Sequence, residues 1–174
     1  LTQGLLQIPF GMASDWLGRK RVIIFGLLVF ALGSFIAMAA ADLTWLTIGR
    51  SVQGAGAISA AVSALLADQT RDEVRTKAMT LVGVSIGLMF AVSLIIAPLL
   101  VSHIGLTGLF TLTGFFALTG IAVVIWWVPP EPAQLVHRPR GSLALVLRDP
   151  ALLRLDLGVF VLHAVQLAMW IAIP

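Results

Sequence analysis

The sequence predicts an all-α protein, a polytopic membrane helix bundle, and two observations favour this fold class. Of the 174 residues, 59% are hydrophobic and only 11% are charged, and the mean hydropathy is +1.03. A soluble domain carries about 25% charged residues, so this chain lacks the charge needed to cover a water-facing surface. The second observation is a series of apolar stretches of about 20 residues, the length a helix needs to cross the hydrocarbon core of a bilayer. A soluble helical bundle is disfavoured because these stretches have no charged face.

The apolar stretches give the order of the helices. Residues 1–12 are the end of a span, and full spans are predicted at 22–41, 44–67, 78–101 and 107–128. Pro129 and Pro130 end the last of these, because proline lacks a backbone N–H and clashes with the preceding turn. A polar segment follows at 129–154, and a further span begins at 155–174. We therefore expect a fragment with a first helical group at 1–128, a linker at 129–154 and the start of a second group.

The basic residues predict the orientation of these spans. Ten of the eleven lie in three alternate loops, at 13–21, 68–77 and 129–154: Arg19, Lys20, Arg21, Arg71, Arg75, Lys77, Arg138, Arg140, Arg148 and Arg154. Lysine and arginine collect in the cytoplasmic loops of membrane proteins, so we expect these loops in the cytoplasm. The net charge of +3 thus indicates topology, and no nucleic-acid partner is expected.

Arg50 is a charge inside a predicted span. An arginine at the centre of a bilayer costs on the order of 3 kcal/mol, so we expect it to face the bundle interior or a wet cavity. Gln53 lies one turn further on the same side and could share its hydrogen bonds. The alternative is that Arg50 reaches the outer interface or pairs with an acid such as Asp42.

Two motifs resemble a known family. The first combines a glycine, an acid four positions later and a Gly-Arg-Lys run: Gly11, Asp15, Gly18, Arg19 and Lys20. The second, at 50–57, is an arginine followed by Gln-Gly-x-Gly: Arg50, Gln53, Gly54 and Gly56. They resemble the signatures of the loop between the second and third helices, and of the fourth helix, in the major facilitator superfamily. Segments 1–10, 66–79 and 155–174 are similar to YajR-type efflux transporters of its drug:proton antiporter group.

The resemblance covers the whole chain and implies helices two to six and the start of helix seven of a twelve-helix transporter. In that reading 1–128 belongs to the N-terminal half, 129–154 is the cytoplasmic link, and 155–174 starts the C-terminal half. It implies proton-coupled efflux of a small solute by alternating access, in the bacterial inner membrane. We expect a small-molecule substrate, protons and membrane lipid as partners, a monomer, and no cofactor or metal.

Other functions remain open from the sequence. Within transport, the alternatives are proton-coupled uptake and facilitated diffusion. Outside it, the chain would be a non-transporting scaffold or a membrane-embedded enzyme. An enzyme is disfavoured because the sequence has no Walker-type loop, no histidine pair at metal spacing and no Ser/His/Asp set that the topology brings together.

The first motif predicts a conformational gate. Asp15 and Arg19 are four residues apart and share a face if the helix continues for one more turn. The resemblance implies that Asp68 completes a relay of three charges that holds the outward-facing state. Gly11, Gly18 and Lys20 complete the predicted gate. The alternative is that these are ordinary loop charges that only set topology.

Proton coupling is assigned to Arg50, Gln53 and His163. His163 lies about two turns into the last span, and histidine changes its charge near physiological pH. A histidine held in a helix interface by one hydrogen bond is the other interpretation.

Helix packing is assigned to Gly54, Gly56, Ala97 and Pro98. The sequence departs from the family here, since the glycine-rich antiporter motif of the fifth helix is reduced to Ala97 and Pro98. Trp16 also stands where the loop signature usually has arginine. The first departure weakens the case for efflux, and the second removes one basic contact.

Overall fold

A computed structural model of the protein describes residues 2–56, 58–129 and 148–172. All regular elements in these ranges are α-helices: α1 (Thr2–Leu17), α2 (Arg19–Met38), α3 (Leu43–Ala55), α4 (Ser59–Gln69), α5 (Asp72–Trp126) and α6 (Pro150–Ala172). Two compact units are formed, one by residues 1–137, which holds α1 to α5, and one by residues 138–174, which holds α6. Most of the predicted linker, including Arg138 and Arg140, lies outside the described residues.

Helix α2 is the centre of the first unit, and it packs mainly against α3 and α5. The approach to α3 is close because both helices present glycines. A Cβ added to Gly33 would lie 2.6 Å from Cα of Gln53 and 2.8 Å from the carbonyl oxygen of Gly49. Gly49 in turn faces Ala37. Small residues allow such backbone contacts in a medium where apolar side chains gain little by leaving lipid.

An apolar cluster joins α2, α4 and the end of α5. Val22, Ile23, Ala61 and Leu65 are buried in it, and Val128 is among the partly buried residues packed against it. Val22 and Ile23 follow directly on the basic residues that begin α2. The basic N-terminal end of α2 is therefore followed directly by residues that are buried in the apolar cluster.

Gly18 corrects the predicted loop at 13–21. The helices α1 and α2 extend to Leu17 and from Arg19, so Gly18 alone separates them. Its φ of 95° lies in the left-handed region, which a residue with a Cβ rarely adopts. The loop is thus a one-residue break between two helices.

Two further breaks differ from the predicted spans. The span predicted at 44–67 is divided into α3 and α4, and α3 ends at Ala55, followed by Gly56 with φ −73° and ψ 53°. The gap between the spans predicted at 78–101 and 107–128 is confined in the structure to Gly105, where a φ of 68° interrupts α5. Hydropathy does not change at Gly56, so span length could not locate the break there, whereas the break at Gly105 lies in the gap between two predicted spans.

Two of the described helices are long and apolar enough to cross a membrane, namely α2 and α5. Many large apolar side chains of α5 are exposed, such as Leu81, Ile86 and Ile95. Helix α6 begins at Pro150, before the predicted start at 155, because the Asp149 carboxylate accepts a hydrogen bond from the backbone N–H of Ala151 and caps the helix.

Candidate functional site: a charged junction and an arginine beside a cavity

The first candidate site lies where α1 meets α2 and α4 ends. Arg19 Nη1 is 2.5 Å from Asp15 Oδ1, and Arg19 Nε donates to Asp68 Oδ2 at 3.0 Å. We call Asp15, Arg19 and Asp68 the charged junction. The Asp68 side chain is only 10% exposed, against 42% for Asp15 and 21% for Arg19. The three residues named from the motif and the resemblance are therefore in direct contact.

The pairing of Asp15 with Arg19 arises differently from the sequence expectation. The prediction placed both on one continuous helix, whereas the break at Gly18 separates them. The positive φ of Gly18 turns the chain so that the first residue of α2 points back to the last turn of α1. The contact therefore depends on this glycine and not on helical spacing.

Ser14 is a member of this site that sequence reasoning missed. Its hydroxyl accepts a hydrogen bond from Arg19 Nη1 at 2.8 Å and donates to the carbonyl oxygen of Gly11 at 2.6 Å. Ser14 is 1% exposed. A serine one turn after Gly11 was the available signal, but a serine that bonds its own helix is too common to single out. Gly11 thus enters the site through its carbonyl group.

Lys20 lies beside the junction and makes a separate set of contacts. Its ammonium group donates to the carbonyl oxygens of Ile125, at 3.1 Å, and Val128, at 2.9 Å. Gln69, next to Asp68, donates through Nε2 to the carbonyl oxygen of Pro129 at 3.1 Å. The end of α5 is therefore held by residues adjacent to the two ends of the Arg19–Asp68 pair.

The second candidate site surrounds Arg50. Arg50 Nη1 donates to Gln53 Oε1 at 2.6 Å, as the one-turn spacing predicts, and Gln53 Nε2 donates to Ser34 Oγ at 2.9 Å. The Arg50 guanidinium also lies 5.9 Å from the ring centroid of Phe110, within the range of a cation–π contact. Gln53 is 5% exposed. Ser34, which lies on α2, could not be paired with Gln53 from the sequence.

The alternative partner for Arg50 is engaged elsewhere. The Asp42 carboxylate accepts from the backbone N–H of Trp45 at 2.8 Å and caps the start of α3. Aspartate is a preferred residue at this position because it satisfies one of the unpaired N–H groups at a helix start. In the described part of the chain, Arg50 is held by an amide and an aromatic ring.

A cavity of about 590 Å³ borders Arg50. Its lining combines hydrogen-bonding and apolar side chains, among them Gln3, Arg50, Gln53, Ser59, Thr113 and Phe116. A positive charge on the wall of such a cavity keeps access to water or a polar ligand while its stem remains among apolar groups. The arrangement fits a site that a polar solute or a proton carrier enters.

The remaining predicted residues have other surroundings. His163 Nδ1 lies 2.9 Å from the carbonyl oxygen of Val159, one turn earlier on α6. A Cβ on Gly56 would lie 3.1 Å from the backbone nitrogen of Phe30, whereas one on Gly54 would make only ordinary contact at 3.6 Å. Close packing thus requires a glycine at Gly56 and not at Gly54 within this unit.

Ala97 and Pro98 lie inside α5, which stays helical through them. Their predicted packing role stays a prediction.

Comparison with known proteins decides the family. The sequence profile described as the Major Facilitator Superfamily matches residues 1–174. The chain belongs to this superfamily. The family resemblance and the all-α membrane transporter fold are thereby confirmed.

The curated relatives of this chain are also named as transporters. It is 44% identical over 178 residues to the inner membrane transport protein YajR of Escherichia coli K12, which covers 100% of the chain and 39% of the relative. It is 34% identical over 177 residues to an uncharacterized transporter of Buchnera aphidicola subsp. Schizaphis graminum, covering 99% of the chain and 45% of the relative. The chain thus spans less than half the length of these curated relatives.

Proposed function

We propose that this chain forms most of the N-terminal half of a secondary transporter that exports a small solute by alternating access in exchange for protons. The observation that carries the proposal is the hydrogen-bonded chain from Arg50 through Gln53 to Ser34 beside the 590 Å³ cavity. A cation fixed by a buried amide keeps its position while water or solute enters the cavity. Its charge then favours the deprotonated form of any acid that approaches, which is the property a proton-release step needs.

The charged junction supports the alternating-access part of the proposal. Arg19 joins α1 to α4 through Asp15 and Asp68, on the side that the basic loops predict to be cytoplasmic. Because the pair with Asp68 is largely shielded from water, its separation has a cost that an exposed pair would not have. We infer that the junction is intact when the cytoplasmic side is closed and separated when that side opens.

The setting follows from the same proposal. The transporter is placed in the bacterial inner membrane, the location that the name of the YajR relative gives for that protein, with its basic loops in the cytoplasm and with membrane lipid around α5. It acts as a monomer, with a small-molecule substrate and protons as its partners. His163, on the second unit, is proposed as a further residue that takes part in proton coupling.

The test is transport by the full-length protein in proteoliposomes with an imposed pH gradient. Cationic and neutral solutes are compared, with a protonophore added to collapse the gradient as the control. Export that stops when the gradient collapses is expected. Flux that is unaffected by the protonophore would indicate facilitated diffusion, and flux in the reverse direction would indicate uptake. No flux of any solute would favour a scaffold and overturn the proposal.

A further inference from the structure

The end of α5 and the residues that directly follow it are bound by two side chains. Each of these side chains comes immediately after a member of the charged junction in the sequence. Lys20 follows Arg19 and binds the carbonyl oxygens of Ile125 and Val128, while Gln69 follows Asp68 and binds that of Pro129. Arg19 and Lys20 are neighbours at the start of α2, and Asp68 and Gln69 are neighbours at the end of α4. The ion pair between these helix ends therefore lies next to the two donors that bind the end of α5.

The physical chemistry of a helix end makes this a favourable contact. The last four carbonyl groups of a helix have no partner within the helix, and they form the negative end of its dipole. The Lys20 ammonium group satisfies one of them, at Ile125, and also binds the carbonyl oxygen of Val128, two residues beyond the helix end. Its positive charge complements the partial negative charge of the helix end. The apolar cluster adds to the contact, since Val128 packs against the buried group formed by Val22, Ile23, Ala61 and Leu65.

We propose that Lys20 and Gln69 are positioning residues that dock the end of α5 onto the charged junction. The segment that leads from Pro129 towards α6 then starts from a position that the junction sets. When Arg19 and Asp68 separate, the start of α2 and the end of α4 move apart, and Lys20 and Gln69 can no longer hold one stretch of backbone together. The inference rests on the proposed gating function, because it needs the junction to open.

The experiment reports on the end of α5 directly. A spin label is placed by Trp127→Cys in the full-length protein after replacement of any cysteine outside this chain, at a side chain that is 81% exposed, so the label displaces no packed group. Line shapes are recorded in liposomes without solute for Lys20→Met, Lys20→Arg and Arg21→Met. Arg21→Met is the matched control because it removes the same charge from an exposed neighbour.

Lys20→Met is expected to raise the mobile fraction of the label about two- to fivefold, the effect of losing one cation at a helix C-terminus. Lys20→Arg should restore the wild-type line shape, and Arg21→Met should leave it unchanged. Coupling to the junction predicts that Lys20→Met has a smaller effect when Asp68→Asn is already present.

Three results would overturn the inference: an unchanged line shape in Lys20→Met, an equal change in Arg21→Met, or additive effects of Lys20→Met and Asp68→Asn. None of these measurements requires solute flux. A failure of the docking inference is therefore distinguishable from a failure of the proposed transport function.

Discussion

Replacing Asp68 by asparagine tests whether the charged junction controls access to the cavity. The substitution keeps the shape of the side chain and an acceptor oxygen, and it removes the negative charge that faces Arg19. The Asp68 side chain is 10% exposed and lies 3.0 Å from Arg19 Nε. Because little water screens this contact, Arg19 loses a well-shielded charged partner.

The magnitude follows from the two exposures at the junction. A hydrogen bond to a charged group contributes about 1.5–3 kcal/mol when it is shielded, whereas an exposed ion pair contributes about 0–1 kcal/mol. Asp68→Asn should therefore shift the balance towards the open junction by roughly tenfold or more, since about 1.4 kcal/mol is a factor of ten. Asp15→Asn, at a side chain that is 42% exposed, should shift it by less.

The assay measures how often the cavity opens to the cytoplasmic side. Thr113→Cys places a thiol on the cavity wall of the full-length protein, and its labelling by an impermeant maleimide is followed in inverted vesicles. Asp72→Asn is the matched control, because Asp72 pairs with Arg75 at 2.6 Å but is 82% exposed. Folding is checked by gel filtration in detergent. Labelling of Asp68→Asn at the wild-type rate, or an equal rise in Asp72→Asn, would refute the reasoning.

Substitutions at three further positions test other parts of the structure. Arg50→Lys should retain part of the gradient-driven transport and Arg50→Ala should abolish it with the protein still folded; wild-type flux in folded Arg50→Ala would remove Arg50 from coupling. His163→Gln should flatten or displace the dependence of flux on pH, and an unchanged profile would leave His163 with a structural role. Gly33→Ala should lower stability by about 1–3 kcal/mol, because its Cβ meets α3 backbone that cannot rotate away. Gly120→Ala is its control, since the Cβ there meets only a flexible Leu27 side chain at 3.6 Å; equal losses in thermal stability would contradict the packing argument.

Much of the architecture follows from hydropathy, since span length alone indicates a membrane bundle and places its helices approximately. The breaks do not follow from it. Gly56 ends α3 inside a single apolar stretch, where neither charge nor proline marks the change. Gly56 packs closely against Phe30 of α2, and a contact between two helices cannot be read from hydropathy along the sequence.

In the candidate sites, too, some contacts could be predicted from the sequence and others could not. The bond from Arg50 to Gln53 was predictable because one helical turn brings the two side chains together. Ser34 completes that network from α2, and only the packed structure reveals it. At the junction, the residues were identified from a motif, but the role of Gly18 in turning Arg19 back to Asp15 needed the backbone geometry.

Because a single residue, Gly18, separates α1 from α2, a small change in its backbone angles would move the far end of α1. Helix α1 has 16 residues, which at 1.5 Å per residue gives a rod of about 24 Å. A change of about 10° in direction at Gly18 would move the far end of α1 by about 4 Å, about three quarters of the rise of one helical turn. The ion pair between Asp15 and Arg19 spans this pivot, so a contact of 2.5 Å at one end of the rod sets the position of the other end.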